Sequence, residues 1–256
     1  MRMPSSIYGP VSSWRLGRSL GVDVLCVDSI CSFECVYCQL GKINRVTTDR
    51  AVFVSTEKII EDLLASDWSS ADVVTFSGSG EPTLAANLGE VIAEIKRLTG
   101  KPVIVLTNST LLDRAEVSEE LADADRVFCK LDAWSEDTLR RFDRPAEGIT
   151  LRSIVDGIVE FRRGYQGFVA IQTMLMRLPH DDELAALADS LIKISPDEVQ
   201  LNLPTRPIPH KYFVETRGNE VEFDDSFTKL KTITKDELER VASKLGELTG
   251  LEVVTR

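Results

Sequence analysis

Short apolar runs rich in β-branched residues alternate along the chain with longer stretches in which apolar positions recur every three or four residues. The runs Val22 to Leu25, Val73 to Phe76, Val103 to Leu106, Val127 to Leu131, Val169 to Met174 and Val199 to Leu203 are almost wholly apolar, the pattern of parallel strands covered on both faces. Between them, Thr56 to Ala65 gathers Ile59, Ile60, Leu63 and Leu64 on one helical face, and Asn87 to Thr99 does the same with Leu88, Val91, Ile92, Ile95 and Leu98. Asn87, three positions before Glu90, predicts an N-cap for the second of these helices, and Gly100-Lys101-Pro102 predicts its end. Helices are also predicted over Glu116 to Asp123, Ser135 to Phe142, Leu151 to Arg163 and Asp181 to Ile194, and a last one starts at the capping box Thr234/Glu237. Six βα units result, spaced roughly 25 to 50 residues apart, as right-handed βαβ crossovers require. They leave two α/β architectures open, an incomplete barrel and a doubly wound open sheet. Pro204 to Thr232 falls outside the βα rhythm and reads as a cap.

The 256 residues suit one large α/β domain or at most two small ones. No run of about 18 apolar residues is present, and Met1-Arg2-Met3-Pro4-Ser5-Ser6 leads into turn residues rather than an apolar signal core, so a soluble, cytoplasmic protein is expected. With 41 acidic and 30 basic side chains the net charge is -11, which opposes long-range attraction to a polyanion. A nucleic-acid surface would require Arg2, Arg15, Arg18, Lys42, Arg45 and Arg50 to gather in one place.

Cysteine placement changes the picture most. Cys26, Cys31, Cys35 and Cys38 fall within thirteen residues, and Cys129 stands apart inside a predicted strand, where a small buried hydrophobe is expected. An odd count concentrated in one segment points to metal or redox chemistry rather than a disulfide framework. Cys31-x3-Cys35-x2-Cys38 lies after the first predicted strand, on the face where α/β folds place ligands. Three thiolates at this spacing can wrap one soft metal centre, and an iron-sulfur cluster, which normally takes four, would keep one iron open. With Cys26 as a fourth ligand the same segment would make a closed zinc site. Cys26 ends an apolar run, however, and a domain of this size needs no metal to fold.

Polar groups also collect after the later strands: Ser77-Gly78-Ser79-Gly80-Glu81-Pro82, then Thr107-Asn108-Ser109-Thr110, then Lys130-Leu131-Asp132-Ala133. Glycines admit close backbone approach to a ligand, and Glu81 supplies an anionic acceptor. Gln172 and Asn202 lie in the fifth and sixth predicted strands beside Thr173 and Gln200, where each buried amide needs a partner, either a ligand or a neighbouring side chain. Arg206, after the sixth strand, would meet a carboxylate or phosphate or form a loop ion pair. Capping and ion pairing explain each of these residues singly; their convergence favours a site.

The cysteine spacing, with Tyr37 immediately before the last cysteine, resembles the signature of the radical S-adenosylmethionine (SAM) enzymes. The resemblance implies a partial (β/α)6 TIM-like barrel over residues 21–203, preceded by an N-terminal extension (1–20) and followed by a C-terminal cap and helix (204–256). It implies a [4Fe-4S] cluster on Cys31, Cys35 and Cys38, in the loop after strand 1, whose fourth iron takes the amino and carboxylate groups of SAM. Tyr37 would lie along the adenine. The loop Ser79-Gly80-Glu81, with Ser79 where the family usually has glycine, would receive the methionine ammonium. Asn108, Lys130 and Asp132 would meet the ribose and carboxylate, with Gln172 and Asn202 as further cofactor contacts. Reductive cleavage of SAM would then give a 5′-deoxyadenosyl radical that abstracts hydrogen from a substrate, with an external flavodoxin or ferredoxin as electron donor. The block Ile7 to Gly21 and the phrase Phe33 to Gly41 look most like the branch related to wyosine-base tRNA-modifying enzymes. Members that build the wyosine ring carry further upstream cysteines, and here only Cys26 precedes the triad. An RNA base, a small molecule and a protein glycine therefore all stay open as substrates. Two rivals remain, a SAM methyltransferase without radical chemistry, using Phe76 to Pro82 as its glycine loop, and a non-enzymatic metal-cluster electron-transfer or binding protein.

Overall fold

The computed structural model describes residues 4–13, 15–26, 28–218 and 224–255. An eight-stranded sheet carries the fold. An antiparallel hairpin, β1 (Ile7–Ser13) and β2 (Gly17–Val22), opens it, and β2 then pairs in parallel with β5 (Val73–Phe76) after two short strands, β3 (Ile30–Cys31) and β4 (Arg45–Val46). Next in line come β6 (Val103–Thr107), β7 (Arg126–Lys130), β8 (Phe168–Met174) and β9 (Glu198–Asn202). A two-stranded excursion, β10 (Ile208–Pro209) with β11 (Phe227–Thr228), precedes the final strand β12 (Val253–Thr255), which returns beside β9. From β2 to β12 each strand neighbours its predecessor in the main sheet, so the order never reverses as it does in a doubly wound sheet.

The helices are α1 (Thr56–Leu64), α2 (Leu88–Thr99), α3 (Ala115–Leu121), α4 (Glu136–Thr138), α5 (Leu151–Gly164), α6 (Asp181–Ile194) and α7 (Lys235–Thr249). Alternation along the strands separates two apolar clusters. Val103, Val105, Val127, Val169 and Val199 join Ile59, Ile92, Ile158 and Leu187 of the helices in the main core. Ile104, Phe128 and Ala170, on the other face, make a small second cluster. Lys130, Gln172 and Gln200 are in register across β7, β8 and β9, two residues beyond this inner cluster on the two strands they share with it, and so extend its face towards the carboxyl ends of the strands.

Three features differ from expectation. The first parallel strand is Gly17–Val22 rather than Val22 to Leu25, because the buried Asp23 carboxylate accepts from Leu25 N (3.1 Å) and Cys26 N (3.0 Å) and turns the chain. Gly21 disguises that strand: the Tyr8 ring occupies the place of a Cβ, 2.1 Å away. Asn87 does sit at the α2 N-cap, but its side chain donates to Val54 O and Thr56 Oγ1, and Glu90 accepts from Thr56 instead of closing a box. Ser135 to Phe142 breaks after one turn into a π-helical turn, Leu139–Asp143. Among the described residues no helix is long and apolar enough to cross a membrane.

Candidate functional site

The three clustered cysteines lie between β2 and α1, at the carboxyl end of the first parallel strand. Their loop is held by backbone pairing on two sides. Towards the glycine-rich loop, Ile30 N donates to Ser79 O (3.0 Å) and Glu81 N to Ile30 O (3.1 Å), forming a parallel bridge between Ile30 and Gly80. The approach is so close that a Cβ on Gly80 would stand 1.6 Å from Ile30 O, and glycine is required there. Towards the π-turn, Glu34 N donates to Asp143 O (3.0 Å), Val36 N to Phe142 O (2.8 Å) and Ala146 N to Ser32 O (2.8 Å).

Cys31, Cys35 and Cys38 are half-buried, and none of the five cysteines forms a disulfide. Burial pushes all three thiols up, Cys31 to about 12 with help from the Glu81 charge, and the neighbouring cysteines add to the rise at Cys31 and Cys35. As protonated thiols they are poor nucleophiles, and a metal that binds them must displace their protons. Cys26 is turned elsewhere: its Sγ donates to Ser5 O (3.2 Å) and accepts from Arg217 Nη1 (3.4 Å). A four-cysteine zinc site is therefore not assembled, and among the described residues no three His, Cys, Asp or Glu side chains converge on a single ion. A multi-iron cluster places each sulfur on a different iron and needs no such convergence.

Glu81 is buried and engaged by the protein itself. Its Oε1 accepts from Thr83 N (3.1 Å), Thr83 Oγ1 (2.7 Å) and Thr107 Oγ1 (2.7 Å), and its Oε2 from Asn108 N (2.6 Å). Burial raises its carboxyl above the usual range against the pull of these donors. Asn108 then reaches the cysteine loop, donating through Nδ2 to Ser32 Oγ (2.8 Å) and Cys31 Sγ (3.4 Å). Ser79 is fully buried, with its hydroxyl between Asp23 Oδ2 (2.5 Å) and Tyr212 (3.1 Å).

A second group surrounds Lys130. Its ammonium pairs with Asp132 (2.7 Å) and Asp143 and lies over the rings of Phe33 (4.9 Å) and Tyr37 (5.3 Å). Tyr37 donates to Asp132, and Cys35 Sγ lies 3.6 Å from Asp143 Oδ1. Burial alone would lower Lys130, but the two carboxylates outweigh it and hold the ammonium well above its usual range. Burial likewise raises Asp143 to about 6 and lifts the Tyr37 phenol. Gln172 and Asn202 belong to a third set. Gln172 Nε2 donates to Gln200 Oε1 (2.8 Å), which also receives Arg15 Nη1 (2.8 Å), while Asn202 faces Arg15 (3.5 Å).

The structure thus joins Tyr37, Lys130 and Asp132 to the cysteine loop, and joins Ser79, Gly80, Glu81 and Asn108 to the same loop from its other side. It ties Gln172 and Asn202 to a separate polar row. Of the six cations that a nucleic-acid groove would need, Arg15 is bound inside the sheet, Arg50 pairs with Glu120, Arg18 bonds Ser70, and Arg2 lies outside the described residues. Asp23, Asp143 and Arg217 were invisible in the sequence, being single charges with partners far along the chain; an acid directly after an apolar run, as at Asp23, is the one faint signal.

Comparison with known proteins decides the family. Residues 27–191 match the radical SAM superfamily. The chain belongs to it. A relative from Synechocystis, UPF0026 protein slr1464, is 44% identical over 251 residues, 97% of this chain and 95% of its own length, which also makes the chain a UPF0026 protein. Two solved structures share the fold: Streptococcus suis SuiB bound to S-adenosylmethionine, with a TM-score of 0.61 at 16% identity over 90% of this chain, and native anSMEcpe with bound AdoMet, with a TM-score of 0.58 at 15% identity over 92%. The chain spans 48% of the first and 63% of the second. As a radical SAM enzyme it uses a [4Fe-4S] cluster and SAM, and it needs an electron donor. The residues present fit that pair of cofactors: three soft donors with Cys26 turned away from them, bridged through Ile30 and Gly80 to the loop after the next parallel strand.

Proposed function

We propose that Cys31, Cys35 and Cys38 hold the cluster and leave one iron for the amino and carboxylate groups of SAM, the chain forming the partial barrel typical of such enzymes. When bound, the cluster supplies one electron that breaks a carbon-sulfur bond of SAM, and the 5′-deoxyadenosyl radical released takes hydrogen from the substrate. The observation that carries this reading is the backbone bridge between Ile30 and Gly80, which sets the first cysteine beside the glycine-rich loop. The chain's residues then have distinct tasks. Gly78 and Gly80 let the loop pack against Asp23 and Ile30, which fixes the turn offered to the methionine end of SAM, and Glu81, already accepting from Thr83, Thr107 and Asn108, braces that loop rather than meeting the ammonium directly. Lys130 meets the SAM carboxylate from between Asp132 and Asp143, while Asp132 also steadies Tyr37 beside the adenine. Gln172 and Asn202 line the inner face on the substrate side, beyond the cofactor.

The best-supported substrate is not a polyanion. The likeness of residues 7–21 and 33–41 to the wyosine-related branch favours an RNA base, but the net charge of -11 and the internal use of Arg15 and Arg50 speak for a small molecule or a protein site. The electron donor is an external flavodoxin or ferredoxin. The test is anaerobic assay of the reconstituted protein with SAM and a one-electron reductant: release of 5′-deoxyadenosine that stops on Cys35→Ala supports the assignment, and methyl transfer that survives replacement of all three cysteines overturns it.

A further inference from the structure

Beyond β9 the chain leaves the sheet and residues 204–217 run as a strap over the outside of the two site loops. Arg206 bonds the Gln39 side chain, and Phe213 N donates to Leu40 O (3.1 Å). At Gly41 the carbonyls of Lys211 and Pro209 come within 2.5 and 2.6 Å of where a Cβ would stand. The strap then touches the glycine-rich loop itself, through the Tyr212 hydroxyl on Ser79 Oγ. Its end is bolted by Arg217, whose Nη1 pairs with Asp23 Oδ2 (2.6 Å), whose Nη2 donates to Ser5 O (2.8 Å), and whose guanidinium lies 5.0 Å from the centre of the Tyr8 ring.

Asp23 is the junction. The oxygen that pairs with Arg217 also accepts from Ser79 N (3.1 Å) and Ser79 Oγ (2.5 Å), and the carboxyl fills the space beside Gly78, 2.4 Å from where a Cβ would be. Asp23 is 1% exposed and the Arg217 side chain 9%, so the carboxylate has exchanged water for one cation and a ring of donors. Removing the cation leaves a buried charge held by neutral donors alone, which the loop relieves by shifting to admit water or another partner. A loop with two glycines has little stiffness of its own to resist that shift.

We propose that Arg217 is a positioning residue for SAM: through Asp23 it fixes the glycine-rich loop in its receiving conformation, so that seating of the strap and binding of SAM are coupled. The proposal rests on the assignment of residues 78–81 to SAM. Coupling of this kind is reciprocal, so the bound cofactor must also tighten the strap.

The experiment measures radiolabelled SAM binding by equilibrium dialysis on the anaerobically reconstituted full chain, together with hydrogen exchange of the strap amides with and without SAM. Arg217→Met is expected to weaken SAM binding about tenfold while iron per chain stays at the level of the unaltered protein, and Arg217→Lys to recover part of the loss. SAM is expected to slow exchange at Phe213 and its neighbours in the unaltered protein and to lose that effect in Arg217→Met. Equal SAM affinity in Arg217→Met, with only a lower melting temperature, overturns the coupling and leaves the strap a structural element. If Arg217→Met does not fold, the exchange arm decides alone: strap protection indifferent to SAM overturns the proposal. Failure of the unaltered protein to bind SAM at all brings down the functional assignment first, and the coupling with it.

Discussion

Glu81 shows how a residue found by motif acquires its meaning from its neighbours. Three donors converge on Oε1 and one on Oε2, so a neutral amide in the same place must turn an N-H towards a donor. Glu81→Gln should therefore cost about 1–3 kcal/mol of stability, read as a lower urea midpoint with unchanged slope. The same substitution should loosen the bridge between the β5 loop and Asn108, which contacts Cys31. The cysteine triad and the glycine loop were legible because their chemistry is written in consecutive residues. Asp143 was not, since it acquires a role only through the π-turn that carries it back to Glu34 and Cys35. Gln172 and Asn202 were expected to be buried amides in need of partners; both are half-buried, only Gln200 between them is fully buried, and the partners are Gln200 and Arg15, which no local pattern announces.

Among the elements, those with strong periodicity and explicit caps were read closely: α6 spans the predicted Asp181 to Ile194, and Thr234 with Glu237 forms the expected box before α7. Elements whose apolar pattern is interrupted were missed. β1 carries Gly9 and Pro10, and β12 is only three residues long with no apolar alternation to set it apart. The start of α6 also provides a pH test. Glu183 closes the cap on His180 N and pairs with Arg177, which lowers its carboxyl from 4.5 to about 2. A carboxyl lowered on folding contributes stability that is complete above its unfolded value and fades as the pH falls through its folded one. Glu183→Gln keeps a capping residue but not the charge. It should melt below the unaltered protein at neutral pH, by less than about 1 kcal/mol because the pair is partly solvated, and the two melting curves should converge between pH 4.5 and about 2. A difference that persists at pH 2 would show that the charge is not its source.

At the scale of the whole molecule, the first hairpin of the sheet is joined across its inner face to β9, next to the far edge strand. Arg15, at the tip of the β1–β2 hairpin, reaches Gln200 and Asn202 on β9 and lies over the Phe128 ring (5.9 Å). Arg15→Met should cost about 2 kcal/mol, the worth of a hydrogen bond from a charged donor, since it takes the guanidinium from Gln200 Oε1 and leaves only Gln172 there, and should leave iron content unchanged. Arg15, one of the six cations that a nucleic-acid surface would have had to gather, instead ties the first hairpin to β9. The central claim, that three cysteines and no fourth hold the cluster, is tested most directly by iron content together with the EPR spectrum of the reduced, anaerobically reconstituted protein before and after adding SAM. The account predicts about four irons per chain in the unaltered protein and in Cys26→Ala, a spectrum that SAM changes, and loss of the cluster when Cys31, Cys35 or Cys38 becomes alanine. A cluster that survives those three replacements, disappears with Cys26, or ignores SAM would contradict it.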